Sequence, residues 1–257
     1  MQGFTRSTKR FALSCAFASL AAQAALAPSA VAKPADYAAI VADPGRSDAQ
    51  KKLDDLRQPA IVLDFAGVKK GQVVADLYAG GGYFTMLLSP VVGPKGKVIA
   101  VNPTSFHKQE SWDKVKARFA NIDTFVAPAD ALHLPAASVN TIFTHLVWHD
   151  LYWVDEKFQH PKLDVDAELA SWYKALKKGG TVIVVDHVGP KGDPREVVDR
   201  LHRIDPEQVK ADMKKAGFKL VAESQALRNP QDDHQLNVFD KAIRGRTDRF
   251  MLKFRKP

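Results

Sequence analysis

The sequence predicts an α/β protein with a doubly wound, mostly parallel seven-stranded sheet, helices on both of its faces and an antiparallel last strand. Two observations carry this prediction. Short apolar runs recur between segments with helical spacing, and glycine turns separate them. The first such unit is a strand, a run of three glycines, a helix and a second strand, which is the order of a βαβ unit.

The first strand of this unit is predicted at 73–77, a short apolar run typical of a strand buried on both faces of a parallel sheet. A helix from Tyr83 to Val91 follows, because apolar residues recur there at helical spacing. The glycines and the proline of 93–96 end the helix, and 97–101 supplies the second strand.

The glycine turn between strand and helix, Gly80 to Gly82, indicates a nucleoside-binding loop. Glycine permits positive φ and lets a ligand lie against the backbone, and the first N–H groups of the next helix face that ligand. The alternative is a tight strand-to-helix turn with no ligand.

The segment 76–82 resembles the first motif of class I S-adenosylmethionine-dependent methyltransferases, an acidic residue followed by glycines at alternate positions. Tyr78 stands at the first glycine position of that motif. The resemblance implies S-adenosylmethionine as the cofactor. The residues that it implies for cofactor binding here are Asp76, Tyr78, Ala79, Gly80 and Gly82.

Four further positions enter the predicted cofactor site, the first three of them through the same resemblance. Asn102 stands where the family has the acidic residue that binds the ribose hydroxyls, although an amide lacks charge assistance. Asp130 and Ala131 match the positions that contact the adenine edge, and His145 ends the fourth strand. The alternatives are a turn residue before Pro103 for Asn102 and a surface-loop residue for Asp130.

The later part of the chain continues the α/β pattern. A glycine pair at 179–180 precedes a fifth strand that ends near Asp186, so the resemblance covers roughly residues 60 to 190. A helix is predicted from Pro206 to Gly217, a sixth strand at 219–222 and a seventh at 249–254. The basic residues that follow 243 are predicted to lie on an edge strand.

Other segments are less regular. Ser47 to Gln50 has the pattern of a capping box, which predicts one helix from there to about Phe65. A turn-rich linker is predicted at 189–199. The polar segment 224–247 is longer than an ordinary hairpin loop, and it could either fold over the site or decorate the surface.

Residues 1–32 are predicted to be a cleavable signal peptide, with cleavage after Ala32 and a periplasmic or secreted mature protein. Three basic residues precede the apolar stretch 11–26, which also holds the only cysteine, Cys15. The alternatives are an amphipathic or membrane-tethering helix and a transit peptide. The predicted organisation is then a helical lead-in at 33–66 and a methyltransferase-like domain at 67–257.

The candidate catalytic residues are His149, Asp150 and His187, because they follow the fourth and fifth strands, where the crevice of a doubly wound sheet lies. We expect His149, oriented by Asp150, to deprotonate an oxygen or nitrogen acceptor. Each histidine could instead be a structural residue with its hydrogen bonds satisfied. A metal site formed by His145 and His149 is disfavoured. Residues four apart share one face only in a helix, and this segment begins as a strand.

Composition fits a soluble globular core, with 46% apolar and 26% charged residues. The formal charge of +8 falls to +5 without the leader, and its spread does not indicate a specific nucleic-acid partner. No apolar run after the leader is long enough for a membrane span.

We therefore expect methyl transfer to a small-molecule or lipid acceptor. An exported, non-catalytic binding module is the alternative, since S-adenosylmethionine is made in the cytoplasm. A nicotinamide dehydrogenase is disfavoured by Thr85 and Asn102.

Overall fold

The computed structural model describes residues 1–3 and 36–257. The predicted leader and its cysteine fall almost entirely on residues outside this part of the chain. Residues 36–257 lie in one compact unit, which includes most of the helical lead-in predicted at 33–66. None of the helices in the described part combines the length and the hydropathy that crossing a bilayer requires.

Seven strands form one sheet in the order β3-β2-β1-β4-β5-β7-β6. Their bounds are β1 Val73–Leu77, β2 Lys97–Pro103, β3 Ile122–Ala127, β4 Val139–His145, β5 Leu176–His187, β6 Lys219–Ser224 and β7 Arg249–Arg255. The pairs among β1 to β5 are parallel, and β7 runs antiparallel to both β5 and β6. This confirms the predicted fold class and the reversed last strand.

Helices cover both faces of the sheet. Their bounds are α1 Tyr37–Val41, α2 Asp48–Lys51, α3 Asp54–Arg57, α4 Pro59–Ala66, α5 Tyr83–Val92, α6 Gln109–Arg118, α7 Val165–Ala175, α8 Pro194–Leu201 and α9 Pro206–Lys215. The side chains of β1 alternate between the faces. Val74 packs with residues of α4 and α5 on one face, whereas Ala75 and Leu77 pack with residues of α7 and α9 on the other.

Three segments differ from the prediction. The helix expected from Ser47 is three short helices. The second break falls at Gln58, which has φ +47°, because Pro59 disfavours the α conformation of the residue before it. The capping box at its start is present, with Gln50 N donating to Ser47 Oγ. The linker expected at 189–199 contains α8, which begins at Pro194 behind the N-cap Asp193.

The basic C-terminal strand is not an edge strand. β7 lies between β5 and β6, and most of its residues are buried, including Arg249. The segment between β6 and β7 has no helix or strand, and it packs against the end of β5. Thr247 Oγ1 in this segment lies 2.6 Å from His187 Nδ1.

Candidate active site

The glycine turn lies at the carboxyl end of β1 and has the left-handed backbone that its sequence predicts. Tyr78, Gly80 and Gly82 have φ values of +52°, +56° and +79°. A side chain at Gly82 would meet the Trp112 ring at 2.9 Å, whereas nothing lies within 4 Å of a Cβ at Gly81. The turn is therefore packed on α6 at Gly82 and open at Gly81.

Asn102 holds this turn in place from the end of β2. Its side chain is fully buried, and Oδ1 accepts a hydrogen bond of 2.8 Å from the Gly80 N–H. The Nδ2 group has no partner among the described residues. A buried donor without a partner costs free energy, and a ligand oxygen that accepts a hydrogen bond from this amide group would recover that cost.

Two cavities meet at the turn. The first, of about 420 Å³, extends towards α2 and α3 and is lined by Gln50, Leu53, Arg57, Asp76 and His145. The second, of about 480 Å³, extends towards β2 and α6 and is lined by Asn102, Phe106, Trp112 and Asp150. Both volumes lie in the range of small-molecule sites. Tyr78, Gly80, Gly81 and Val147 line both cavities.

The Tyr78 ring does not fill this space. Its hydroxyl group lies 3.2 Å from Nε2 of the buried His160, so the side chain is held against the loop that follows β4. Burial and the nearby Asp150 charge raise its pKa, so the phenol stays neutral. Tyr78 therefore forms a wall of the site.

Asp76 lies beneath the first cavity and is 3% exposed. Its Oδ2 accepts a hydrogen bond of 2.5 Å from Thr85 Oγ1, one turn into α5. Burial raises the pKa of Asp76 to about 7, although this hydrogen bond and the Arg57 charge oppose the shift. The carboxyl group is thus only partly ionised near neutral pH.

His145 ends β4 on the same cavity and packs at a tilted angle against Phe84, with 4.4 Å between ring centroids. Its Nε2 is buried and has no partner among the described residues. Burial, followed by the Arg57 charge, lowers the pKa of His145 well below its usual value. The ring is a neutral group at the cavity floor.

His149 is held mainly by Asp186, rather than by Asp150 as we expected. Its Nδ1 lies 2.9 Å from Asp186 Oδ1, and its main-chain N–H donates to Oδ2 of the same carboxylate at 2.9 Å. The closest approach of Asp150 to the ring is 3.4 Å, from Oδ1 to Nε2. Both ring nitrogens therefore face carboxylates.

The expected roles of the catalytic candidates change accordingly. Neither His149 nor His187 lines either cavity, whereas Asp150 lines the second. Burial raises the pKa of Asp150 to about 6, and the His149 charge opposes that shift. Burial lowers the pKa of His187 to about 3, so this ring is neutral beside Thr247.

Asp130 and Ala131 lie on an exposed 3-10 turn after β3 and do not line the two cavities at the glycine turn, although the Asp130 charge helps to raise the pKa of Tyr78. Asp130 lines a separate, open cavity of about 510 Å³. The segment 154–161 forms the other wall of that cavity, and Phe158 stacks on Phe106 with 5.6 Å between centroids. These two residues therefore do not line the cavities that most of the other expected cofactor contacts line.

Among the described residues, no group of three or more His, Cys, Asp or Glu side chains has an arrangement that could hold a metal ion. Sequence reasoning missed Asp186 and Arg57. Asp186 could have been found from its place beside His187 at the end of a strand. No sequence signal marks Arg57, because its place on the cavity depends on how α3 packs.

No protein-family model matches the chain. Curated relatives include the ubiquinone/menaquinone biosynthesis C-methyltransferase UbiE of Haemophilus ducreyi, 33% identical over 132 residues, 51% of this chain and 48% of that protein. The protein of that name from Escherichia coli K12 is 30% identical over 134 residues, 51% of this chain and 49% of its own. The chain spans about half the length of the curated relatives it matches.

Solved structures share the fold over most of the chain. A SAM-dependent methyltransferase from Aquifex aeolicus has a TM-score of 0.54 at 21% identity, covering 82% of this chain and all of the other. One from Mesorhizobium loti has a TM-score of 0.55 at 15% identity, covering 79% and 99%. The [4+2]-cyclase SpnF has a TM-score of 0.55 at 16% identity, covering 81% and 82%. The chain has the S-adenosylmethionine-dependent methyltransferase fold.

Proposed function

We propose that this protein is an S-adenosylmethionine-dependent methyltransferase that acts on a small-molecule acceptor. One observation carries the proposal: two cavities meet over the open backbone of Gly80 and Gly81, at the carboxyl ends of β1 and β4. An elongated ligand with a nucleoside end and an amino-acid end suits such a pair of cavities. The names of the curated relatives support the same reaction.

The residues present fit this cofactor. The unpartnered Nδ2 of Asn102 can donate to a sugar hydroxyl, and the space beside Gly81 admits a ligand against the backbone. When bound, S-adenosylmethionine would supply an electrophilic methyl group. In this proposal the nucleoside end would lie in the second cavity, where the Phe106 and Trp112 rings provide apolar walls.

We infer that Asp150 takes up the proton that an acceptor loses on methylation. Asp150 lies on the second cavity near the shared wall, and its raised pKa of about 6 makes it a better base than an ordinary aspartate while leaving it ionised at neutral pH. His149 and Asp186 act as positioning residues, since the His149 ring lies against Asp150. His187 supports the His149 ring, with 5.9 Å between their centroids.

The acceptor class that we propose to test first is an apolar, lipid-soluble ring compound. Apolar side chains lie on both sides of the wall that the cavities share, Leu53 and Phe84 in the first cavity and Phe106 in the second. The relatives are named for ubiquinone and menaquinone biosynthesis, which involves acceptors of this kind.

The first experiment measures binding and transfer separately. Calorimetric titration with S-adenosylhomocysteine should give a saturable one-to-one isotherm, and the variant Gly81→Val should lose it because a side chain enters both cavities.

Methyl-labelled S-adenosylmethionine is then incubated with the protein and solvent-extracted lipids, using Asp150→Asn as the paired control. Label should move into the lipid fraction only with the unmodified protein. Binding without transfer would indicate a ligand-binding module, and the absence of binding would refute the proposal.

We also propose that residues 1–32 are removed on export and that the mature protein starts at Lys33, on the composition of that segment. Intact-mass measurement of the protein from the periplasmic fraction of an expressing bacterium tests this. A mass that retains the first 32 residues, or recovery only from the cytoplasm, would contradict it.

A further inference from the structure

Arg57, the last residue of α3, lines the first cavity without a carboxylate partner. Two arginines contact the Tyr83 ring, Arg46 at 5.5 Å and Arg57 at 4.5 Å from its centroid. Arg46 forms a bidentate pair with Asp54, at 2.8 and 2.6 Å. Within residues 36–257, by contrast, no hydrogen bond or ion pair engages the guanidinium of Arg57. Its five N–H donors are therefore available to the cavity.

A second arginine, Arg249, also has a guanidinium N–H group without a hydrogen-bond partner among the described residues. Arg249 begins β7 and pairs with His187 at the carboxyl end of β5, on the same edge of the sheet as the glycine turn. It is 7% exposed, and its Nε has no partner among the described residues. Burial, followed by the charge of Arg57, lowers the pKa of Arg249, whereas the Asp248 charge opposes this shift.

The remaining polar groups do not neutralise this charge. His145 is neutral and has an unpartnered Nε2. Asp76 is only partly ionised near neutral pH, and one of its oxygens is taken by Thr85. Buried cations are normally paired, because removing them from water costs several kcal/mol. The positive charge of Arg57 and Arg249 at this end of the cavity is therefore suited to bind an anion.

We propose that the Arg57 end of the first cavity binds the carboxylate of a ligand. A planar carboxylate matches the guanidinium fork in a bidentate geometry. The partial charge of Asp76 on the same wall disfavours a doubly charged phosphate. The carboxylate can come from the amino-acid end of S-adenosylmethionine, in which case the inference rests on the proposed function, or from an acceptor.

The test compares unmodified protein with Arg57→Gln, Arg57→Lys and the control Arg255→Gln, which removes the same charge from an exposed site on β7. Circular dichroism and melting curves establish that each variant is folded. S-adenosylhomocysteine and 5′-methylthioadenosine are titrated by calorimetry, because they share the adenosine and the sulfur and only the first has a carboxylate. Benzoate and its neutral analogue benzamide are titrated separately.

If the carboxylate belongs to the cofactor, Arg57→Gln weakens S-adenosylhomocysteine binding by roughly 10- to 100-fold and leaves methylthioadenosine unchanged. Arg57→Lys keeps the charge but loses the bidentate geometry, so it weakens S-adenosylhomocysteine binding less. If Arg57→Gln does not fold, Arg57→Lys is compared with the unmodified protein in its place. If the carboxylate belongs to an acceptor, Arg57→Gln leaves the affinity for S-adenosylhomocysteine unchanged. Benzoate then binds the unmodified and Arg255→Gln proteins more tightly than benzamide does, and its binding is lost in Arg57→Gln.

The inference is overturned if neither carboxylate probe depends on Arg57. Failure of both adenosyl compounds to bind any protein would refute the proposed function alone. The benzoate comparison would then still decide whether Arg57 holds a carboxylate.

Discussion

The Nδ1 atom of His149 lies 2.9 Å from Oδ1 of Asp186, a residue 37 positions further along the chain. Both side chains are almost completely buried. Burial by itself would lower the pKa of His149, but the Asp186 and Asp150 carboxylates outweigh it and raise the pKa to about 9. The His149 charge likewise lowers the pKa of Asp186 against the effect of burial. His149 is therefore an imidazolium at neutral pH, which cannot accept a proton.

The first prediction concerns this charge. In ¹⁵N-detected NMR titrations, we expect His149 to titrate near pH 9 and Asp186→Asn to lower that midpoint, because burial then dominates. The exposed Asp48→Asn should leave it unchanged. Since the folded pKa lies above the unfolded value of about 6.5, the stabilisation is fully present below pH 6.5 and is lost as pH rises towards 9. A midpoint near 6.5 in the unmodified protein would contradict the assignment.

The second prediction concerns Asp76, whose pKa of about 7 in the folded protein exceeds its ordinary value of 3.8. The folded state then holds a proton that the unfolded state releases, so the contribution of Asp76 to stability decreases as pH rises from about 4 to 7. We expect the difference in unfolding free energy between the unmodified protein and Asp76→Asn to change by up to about 4 kcal/mol over that range. Urea unfolding at several pH values measures this. The exposed Asp113→Asn is the control, and equal pH dependence in both variants would refute the prediction.

The third prediction separates backbone strain from ligand contact in the glycine turn. Gly82→Ala should lower the unfolding free energy by about 1–3 kcal/mol, because it combines a positive φ with a contact on the Trp112 ring. Gly81→Ala should change stability by less than about 0.5 kcal/mol, since its Cβ meets nothing. It should nevertheless weaken S-adenosylhomocysteine binding, because that Cβ enters the ligand space. Urea unfolding and calorimetry check both variants, and equal stability of the two would show that the turn is not strained.

The fourth prediction concerns the segment between β6 and β7. Arg203 is fully buried and forms a bidentate ion pair with Asp232, at 2.9 and 3.0 Å. Asp232→Asn would leave a buried guanidinium without its counter-ion, so we expect a loss of about 3–5 kcal/mol. The neighbouring exposed Asp233→Asn should have little effect. Chemical unfolding gives the values, and limited proteolysis should cut Asp232→Asn faster within 225–248. Equal stability of the two variants would contradict a structural role for the pair.

Much of the fold could be predicted because its signals are local. The apolar run of β1, the helical spacing of α5 and the glycines between them specify a βαβ unit within about thirty residues. The break at Gln58 and the start of α8 also had local signals, a proline in each case, and both were overlooked. The position of β7 had none, since the alternating charges of Arg249 to Lys256 fit an edge strand as well as a strand paired on both sides.

The sequence by itself determined the first βαβ unit, its glycine turn and the place of the crevice beyond the strand ends, because these depend on spacing along the chain. The tertiary structure alone decided that Asp186 holds His149 and that Asn102 braces Gly80. It also decided that Arg57 reaches the cavity with no carboxylate bonded to it among the described residues. Each of these depends on which side chains face one another after strands and helices pack. Hydrogen bonds and charges act over a few ångströms in space, and separation along the chain does not reveal that distance.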